Sequence, residues 1–186
     1  MPGSNPLTME NEFMRFTRIA AAAMVALLPT IVSAQGTKPK LDDAAIVGIF
    51  DAANTWDIGT ASLATKNATR ADVKTFAAQL VGDHKSVQQQ GRDLAKKLGV
   101  TPTPVAADFA LKVDYEATMK KLGGLKGAAF DKAFLEHEVA YHKAVIDAVT
   151  TQFLPAIQNA ELKAFVQKVA PAFQAHLTAA ETLLKK

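Results

Sequence analysis

The sequence has 186 residues, 49% hydrophobic and 7% aromatic, no cysteine, and a net charge of +3 from 21 basic and 18 acidic residues. The lack of cysteine excludes disulfides, thiolate metal sites and cysteine nucleophiles. The near-balanced charge carries no basic stripe interleaved with aromatics, so nucleic acid is not expected as a partner.

Residues 14–34, MRFTRIAAAAMVALLPTIVSA, have the plan of an export signal. Arg15 and Arg18 make a positive start, Ile19 to Leu28 a short apolar run, and Val32-Ser33-Ala34 a small-residue cleavage site. The run falls short of the ~20 apolar residues that a membrane-spanning helix needs. The expectation is a signal peptide over residues 1–34, with translation starting at Met14 and the mature chain at Gln35. No transmembrane helix is expected in the mature chain, and its location would be periplasmic or outer-membrane associated. Glu10, Glu12, Arg15 and Arg18 cancel, so the net charge belongs to the mature part.

Residues 35–42 read as a polar lead-in and 43–186 as one helical domain, the abundance of alanine favouring helix over sheet. A first helix is expected from Asp42 or Asp43 to about Lys66, with Ile46, Phe50, Ala53, Asp57 and Ala64 on one face. Thr69, with Asp72 three residues on, reads as the N-cap of a second helix that runs to Leu98. Its stripe is Val73, Phe76, Leu80, His84, Val87, Leu94 and Leu98, and Gly99 stops it. A shorter helical segment over 106–122, with Phe109, Leu111 and Tyr115, is expected to cap one end of the domain.

A third long helix is expected over about 128–152. Phe130, Phe134, His137, Tyr141 and Val145 mark one face, and Leu135, Val139, His142, Ile146 and Val149 the adjoining one. The fourth covers about 160–184 with Leu162, Phe165, Val169, Phe173, His176 and Leu183, and Pro171 should kink it. NATRADVKTFAAQL (67–80) and NAELKAFVQKV (159–169) are similar and both follow a helix break. Two such hairpins joined by a long crossover predict an all-α, ferritin-like up-down four-helix bundle, with an extra short helix in the crossover between helices 2 and 3.

The chemistry-bearing residues are four histidines on these stripes, His84, His137, His142 and His176. Asp57 interrupts an apolar stripe, where an unpaired charge is costly, and Glu138 stands four residues before His142. Imidazole and carboxylate together suit zinc, copper or iron. Counting from the hairpin end of each helix, His84, His137 and His176 lie roughly fifteen to seventeen residues up, and Asp57 and His142 roughly ten, about 8 Å lower. That count favours His137 over His142 as the third ligand. Asp83 reads as a solvent-facing charge. Val81, Phe134, Val139 and Phe173 stand three residues before the histidines, so the Glu-x-x-His pattern of di-iron carboxylate bundles is missing. No catalytic motif is visible.

Three segments carry a resemblance: ADVKTFAAQLVGDHKS (71–86), FDKAFLEHEVAYHKAV (130–145) and ELKAFVQKVAPAFQAHL (161–177). The chain resembles a family of exported bacterial ferritin-like proteins, a domain of unknown function often labelled outer membrane proteins. The resemblance implies a ferritin-like bundle, an envelope location, and His84, His142 and His176 as the recurring positions. A glutamate is usual where this chain has Asp57, whose side chain is one methylene shorter, and the family brings no assigned activity. Two functions follow as expectations. One is a metal-binding envelope protein, buffering an ion or serving a stress response. The other is a non-catalytic structural or interaction protein of the envelope, with another envelope protein or a second copy as partner and no metal.

Overall fold

The structure, a computed structural model, describes residues 41–186. The export signal read at 1–34 and most of the lead-in at 35–42 lie outside the described residues. Every regular element among the described residues is helical: α1 (Asp43–Asn67), α2 (Ala71–Leu98), α3 (Ala110–Gly123), α4 (Gly127–Ala148) and α5 (Ala160–Leu184). The chain leaves α4 through a π-helical turn, Val149–Phe153, and one further turn, Leu154–Ala156. No helix among the described residues is long and apolar enough to cross a membrane.

The helix ends show how the elements are tied. Asp42 caps α1, accepting from the Ala45 N–H at 3.0 Å. The carboxylate of Asp43 instead accepts from the backbone N–H groups of Gln158 and Asn159, at 2.8 and 2.9 Å. The start of α1 is thereby fixed to the turn before α5. The Thr69–Asp72 capping pair does not form. Asp131 of α4 takes both Thr69 groups and the Arg70 N–H, at 2.6–2.9 Å, while Asp72 pairs with Arg70. A buried carboxylate with three donors outcompetes a local cap. Gly99 closes α2 in the left-handed conformation at φ 66°. Asn159 caps α5, which stays continuous through Pro171, an exposed position.

These ties also give the directions. Asp131, near the start of α4, lies at the α1–α2 turn, and Arg70 in that turn donates to the Leu183 carbonyl at the end of α5. The α4–α5 turn lies at the opposite end, against Asp43. Strict up-down alternation therefore stops at the crossover: α2 and α4 start at the same end and run the same way.

The crossover does not cap an end. Thr103 bonds back to the Ala44 carbonyl at 3.0 Å, and α3 then runs along α1 and α4 towards the α1–α2 turn. Phe109 and Tyr115 stack on Trp56, and Leu122 is fully buried. Gly59 permits this approach, since a Cβ there would stand 2.6 Å from the Tyr115 hydroxyl. Three anchors spaced along the segment fit a lengthwise groove better than a blunt helix end.

The core is layered. At the α1–α2 turn end, Ala61, Phe76, Leu80, Phe130 and Phe134 form one apolar cluster. At the other, Ile46, Val47, Val149, Phe153 and Val166 form a second, with Phe50 and Phe173 adjoining. Between them lies a slab of buried polar side chains: Asn54, Asp57, Thr60, His84, Glu138, His142 and His176.

Candidate metal centre

Four helices feed the slab. Asp57 comes from α1, His84 from α2, Glu138 and His142 from successive turns of α4, and His176 from α5. None of the five is more than 4% exposed. The rings of His84, His142 and His176 form a near-regular triangle, with centroids 5.1, 5.3 and 5.7 Å apart.

Each imidazole is held from outside by one nitrogen. The Asn54 amide donates to the Phe50 carbonyl at 2.7 Å, which turns its Oδ1 towards His84 Nδ1 at 2.9 Å. His142 Nδ1 lies 3.0 Å from the Glu138 carbonyl, and His176 Nε2 lies 3.0 Å from Asp83 Oδ2. A carbonyl or carboxylate oxygen only accepts, so each of these nitrogens carries the proton. The other nitrogen of each ring, His84 Nε2, His142 Nε2 and His176 Nδ1, is buried and without a partner.

These three nitrogens share the slab with carboxylates in the same condition. Both oxygens of Asp57 and Oε2 of Glu138 are buried without a partner, while Glu138 Oε1 accepts weakly from Thr60 at 3.4 Å. Among the described residues, every buried side-chain nitrogen or oxygen lacking a hydrogen bond belongs to these five side chains. Such groups are costly and ordinarily rare, and their collection in one slab requires a common explanation.

The spacing supplies one. Asp57 Oδ2 lies 3.4 Å from His84 Nε2 and 3.7 Å from His142 Nε2. These gaps are long for hydrogen bonds. They are close to the separation of about 3.4 Å between ligand atoms each ~2.1 Å from a tetrahedral ion. Ligand atoms of His84, His142 and His176 lie within 4.8 Å of one another, as do those of Asp57, Glu138 and His142.

Burial also sets the charges. It pushes the Asp57 carboxyl up to about 8, and it raises Glu138 well above its ordinary range, with the Asp57 charge adding to the effect. Burial takes His142 down to about 4 and His84 well below its usual value, the neighbouring imidazoles reinforcing the latter. The His84–Asp57 and His142–Asp57 contacts are therefore not ion pairs in the metal-free protein. Neutral imidazoles need shed no proton to bind a cation, whereas the carboxyls would release theirs.

The sequence count placed His142 below the other histidines and His137 beside them; the structure reverses this. The count took both hairpin turns to lie at one end, whereas they lie at opposite ends, so helices counted from them do not share a zero. His137 Nδ1 faces α3, 3.3 Å from the Thr118 hydroxyl and 3.8 Å from Asp114. Asp83 is corrected as well: it is half-exposed, but it reaches across to His176. Asn54 was missed. Asn54 had a signal, a helix-interior amide one turn before the buried Asp57.

A family model described as Domain of unknown function (DUF4142) matches residues 29–183, and the chain belongs to that family. No curated protein and no solved structure matches it.

Proposed function

We propose that this member of the DUF4142 family is an exported, ferritin-like four-helix bundle that binds one divalent transition-metal ion between His84, His142, His176 and Asp57, with Glu138 alongside. One observation carries the reading. Three imidazoles are each hydrogen-bonded outward through one nitrogen, their opposite nitrogens are buried without a partner, and those of His84 and His142 lie 3.4 and 3.7 Å from the unpaired Asp57 carboxylate. Metal-binding histidines are ordinarily oriented by such outer partners.

The donor set suits zinc, copper or iron: imidazole nitrogen and carboxylate oxygen, with no thiolate. Four protein ligands fill a tetrahedral shell, the arrangement of sites that hold an ion rather than turn over a substrate. Metal buffering or a stress role in the envelope fits that closure. The export signal in residues 14–34 supports the location. The two antiparallel pairs, the single long crossover and the parallel course of α2 and α4 support the ferritin-like arrangement.

An ion that binds only the folded state must raise the melting temperature. Adding zinc, copper(II) or iron(II) to chelator-treated protein should do so for at least one of them. The rise should disappear in His84→Ala and His176→Ala. Equal melting temperatures with and without all three ions would end the proposal.

A further inference from the structure

Beside the polar slab lies a chamber of about 30 Å³, between α1, α4 and the first turn of α3. His84 and His142 form part of its wall, with Asn54 and Tyr141, and every other lining residue is apolar. Neither slab carboxylate lines it, nor does His176.

The four polar members offer a guest little. The Tyr141 hydroxyl donates to the Ala53 carbonyl and the Asn54 amide to the Phe50 carbonyl, each at 2.7 Å. The Nδ1 atoms of His84 and His142 are taken by Asn54 and by the Glu138 carbonyl. Their Nε2 atoms lie 3.4 and 3.7 Å from Asp57, outside the chamber. A confined water needs roughly 2–4 polar partners, which these walls do not provide. The outer lining residues Ile49, Leu111 and Ala148 are half-buried and apolar, so an ion crossing there would shed its hydration against hydrocarbon.

Part of the wall comes from the π-helical turn. Val149 and Phe153, its two buried residues, both line the chamber. The Thr150 and Thr151 hydroxyls hold the turn from outside, donating to the Ile146 and Asp147 carbonyls at 2.8 Å each. Turns of this kind are rare and frequently mark functional sites. The size limits the occupant: one water-sized body takes ~10–15 Å³, so the chamber admits about two heavy atoms.

We infer that this chamber binds one small, uncharged, apolar molecule of the size of dioxygen, against the rings of His84 and His142. Side chains alone form the chamber, so the inference stands or falls apart from the ion. Where an ion is bound, the guest lies beside two of its ligand rings.

The test is proton NMR relaxation of the protein expressed from its full sequence, with dissolved nitrogen replaced by dioxygen under pressure. Dioxygen is paramagnetic and speeds the relaxation of protons near it. Methyl protons of Ala53, Val145 and Val149 should relax severalfold faster than those of Ala61 and Leu80, which are buried in the other apolar cluster. The ring protons of His84 and His142 should share the effect. Ala53→Leu and Ala148→Leu each add volume at a half-buried wall position, where overpacking is tolerated best, and each should abolish the excess. Equal relaxation of the two methyl sets in the unaltered chain would overturn the inference, whatever the variants do. So would an excess confined to the outer Ile49 and Leu111 methyls, or one that persists in a folded variant of both kinds.

Discussion

Replacing Asp57 by Asn should make the metal-free protein more stable while destroying its affinity for metal. Asn has nearly the shape of Asp, so packing in the slab is kept, and its amide can donate to the unpaired His84 Nε2. What changes is the ionisation. The Asp57 carboxyl titrates near 3.8 in an unfolded chain and is pushed to about 8 by burial in the folded one. Between those values the unfolded state gives up a proton that the folded state keeps. Folding stability therefore falls as pH rises from about 4 to about 8, and is fully present below 4. At pH 7 the penalty has a ceiling of about 4 kcal/mol at 1.36 kcal/mol per unit. Water penetration and relaxation reduce it, so a gain of about 1–3 kcal/mol is expected, or several degrees in Tm at ~2–4 °C per kcal/mol. The assay is urea unfolding of chelator-treated parent and variant at pH 4.5 and 7.5. The advantage of Asp57→Asn should be small at pH 4.5 and largest at pH 7.5, and no ion should raise its Tm. A variant less stable than its parent at pH 7.5, or a gain independent of pH, would refute the reasoning that burial holds this carboxyl neutral.

Exchange of the two α4 histidines separates their roles: His142→Ala should abolish metal-induced stabilisation, whereas His137→Ala should keep it and lose about 1 kcal/mol of stability with its Thr118 contact. Asp131→Ala leaves the Thr69 and Arg70 donors without their acceptor and should cost about 2–4 kcal/mol in urea unfolding, with metal stoichiometry unchanged. Binding of zinc at pH 7 should release at least one proton per ion, because the Asp57 and Glu138 carboxyls start protonated and must ionise to coordinate. Titrations in buffers of different ionisation enthalpy measure that number, and an apparent affinity that fails to fall between pH 7.5 and 6 would contradict it.

Much of this architecture was legible because apolar periodicity survives in each helix. Ile46, Phe50 and Asp57 share a face, as do Phe76, Leu80 and His84, and the odd polar members of those stripes lie together in the buried polar slab. Helix ends were legible for the same local reason, as with Gly99 at the close of α2. What failed was non-local. Thr69 looks like a cap until Asp131, 62 residues on, takes its hydroxyl and backbone N–H. Asp83 looks solvent-bound until α5 brings His176 to it. The preference for His137 over His142 failed on the placement of two turns at opposite ends, which periodicity within a helix cannot express. The lengthwise course of α3 depended on Gly59 and Trp56 of α1 receiving aromatics from a segment about 50 residues later, and nothing in the segment itself distinguishes that groove from a bundle end.

The central claim, that the buried histidines and Asp57 hold an ion, is tested most directly by elemental analysis of the protein expressed from its full sequence and purified without chelator or affinity tag. One equivalent of zinc, copper or iron per chain, lost in both His84→Ala and His176→Ala, is the expected result. Metal-free protein whose melting temperature none of the three ions raises would contradict the account, and would leave the unpaired atoms of the polar slab without an ion to explain them.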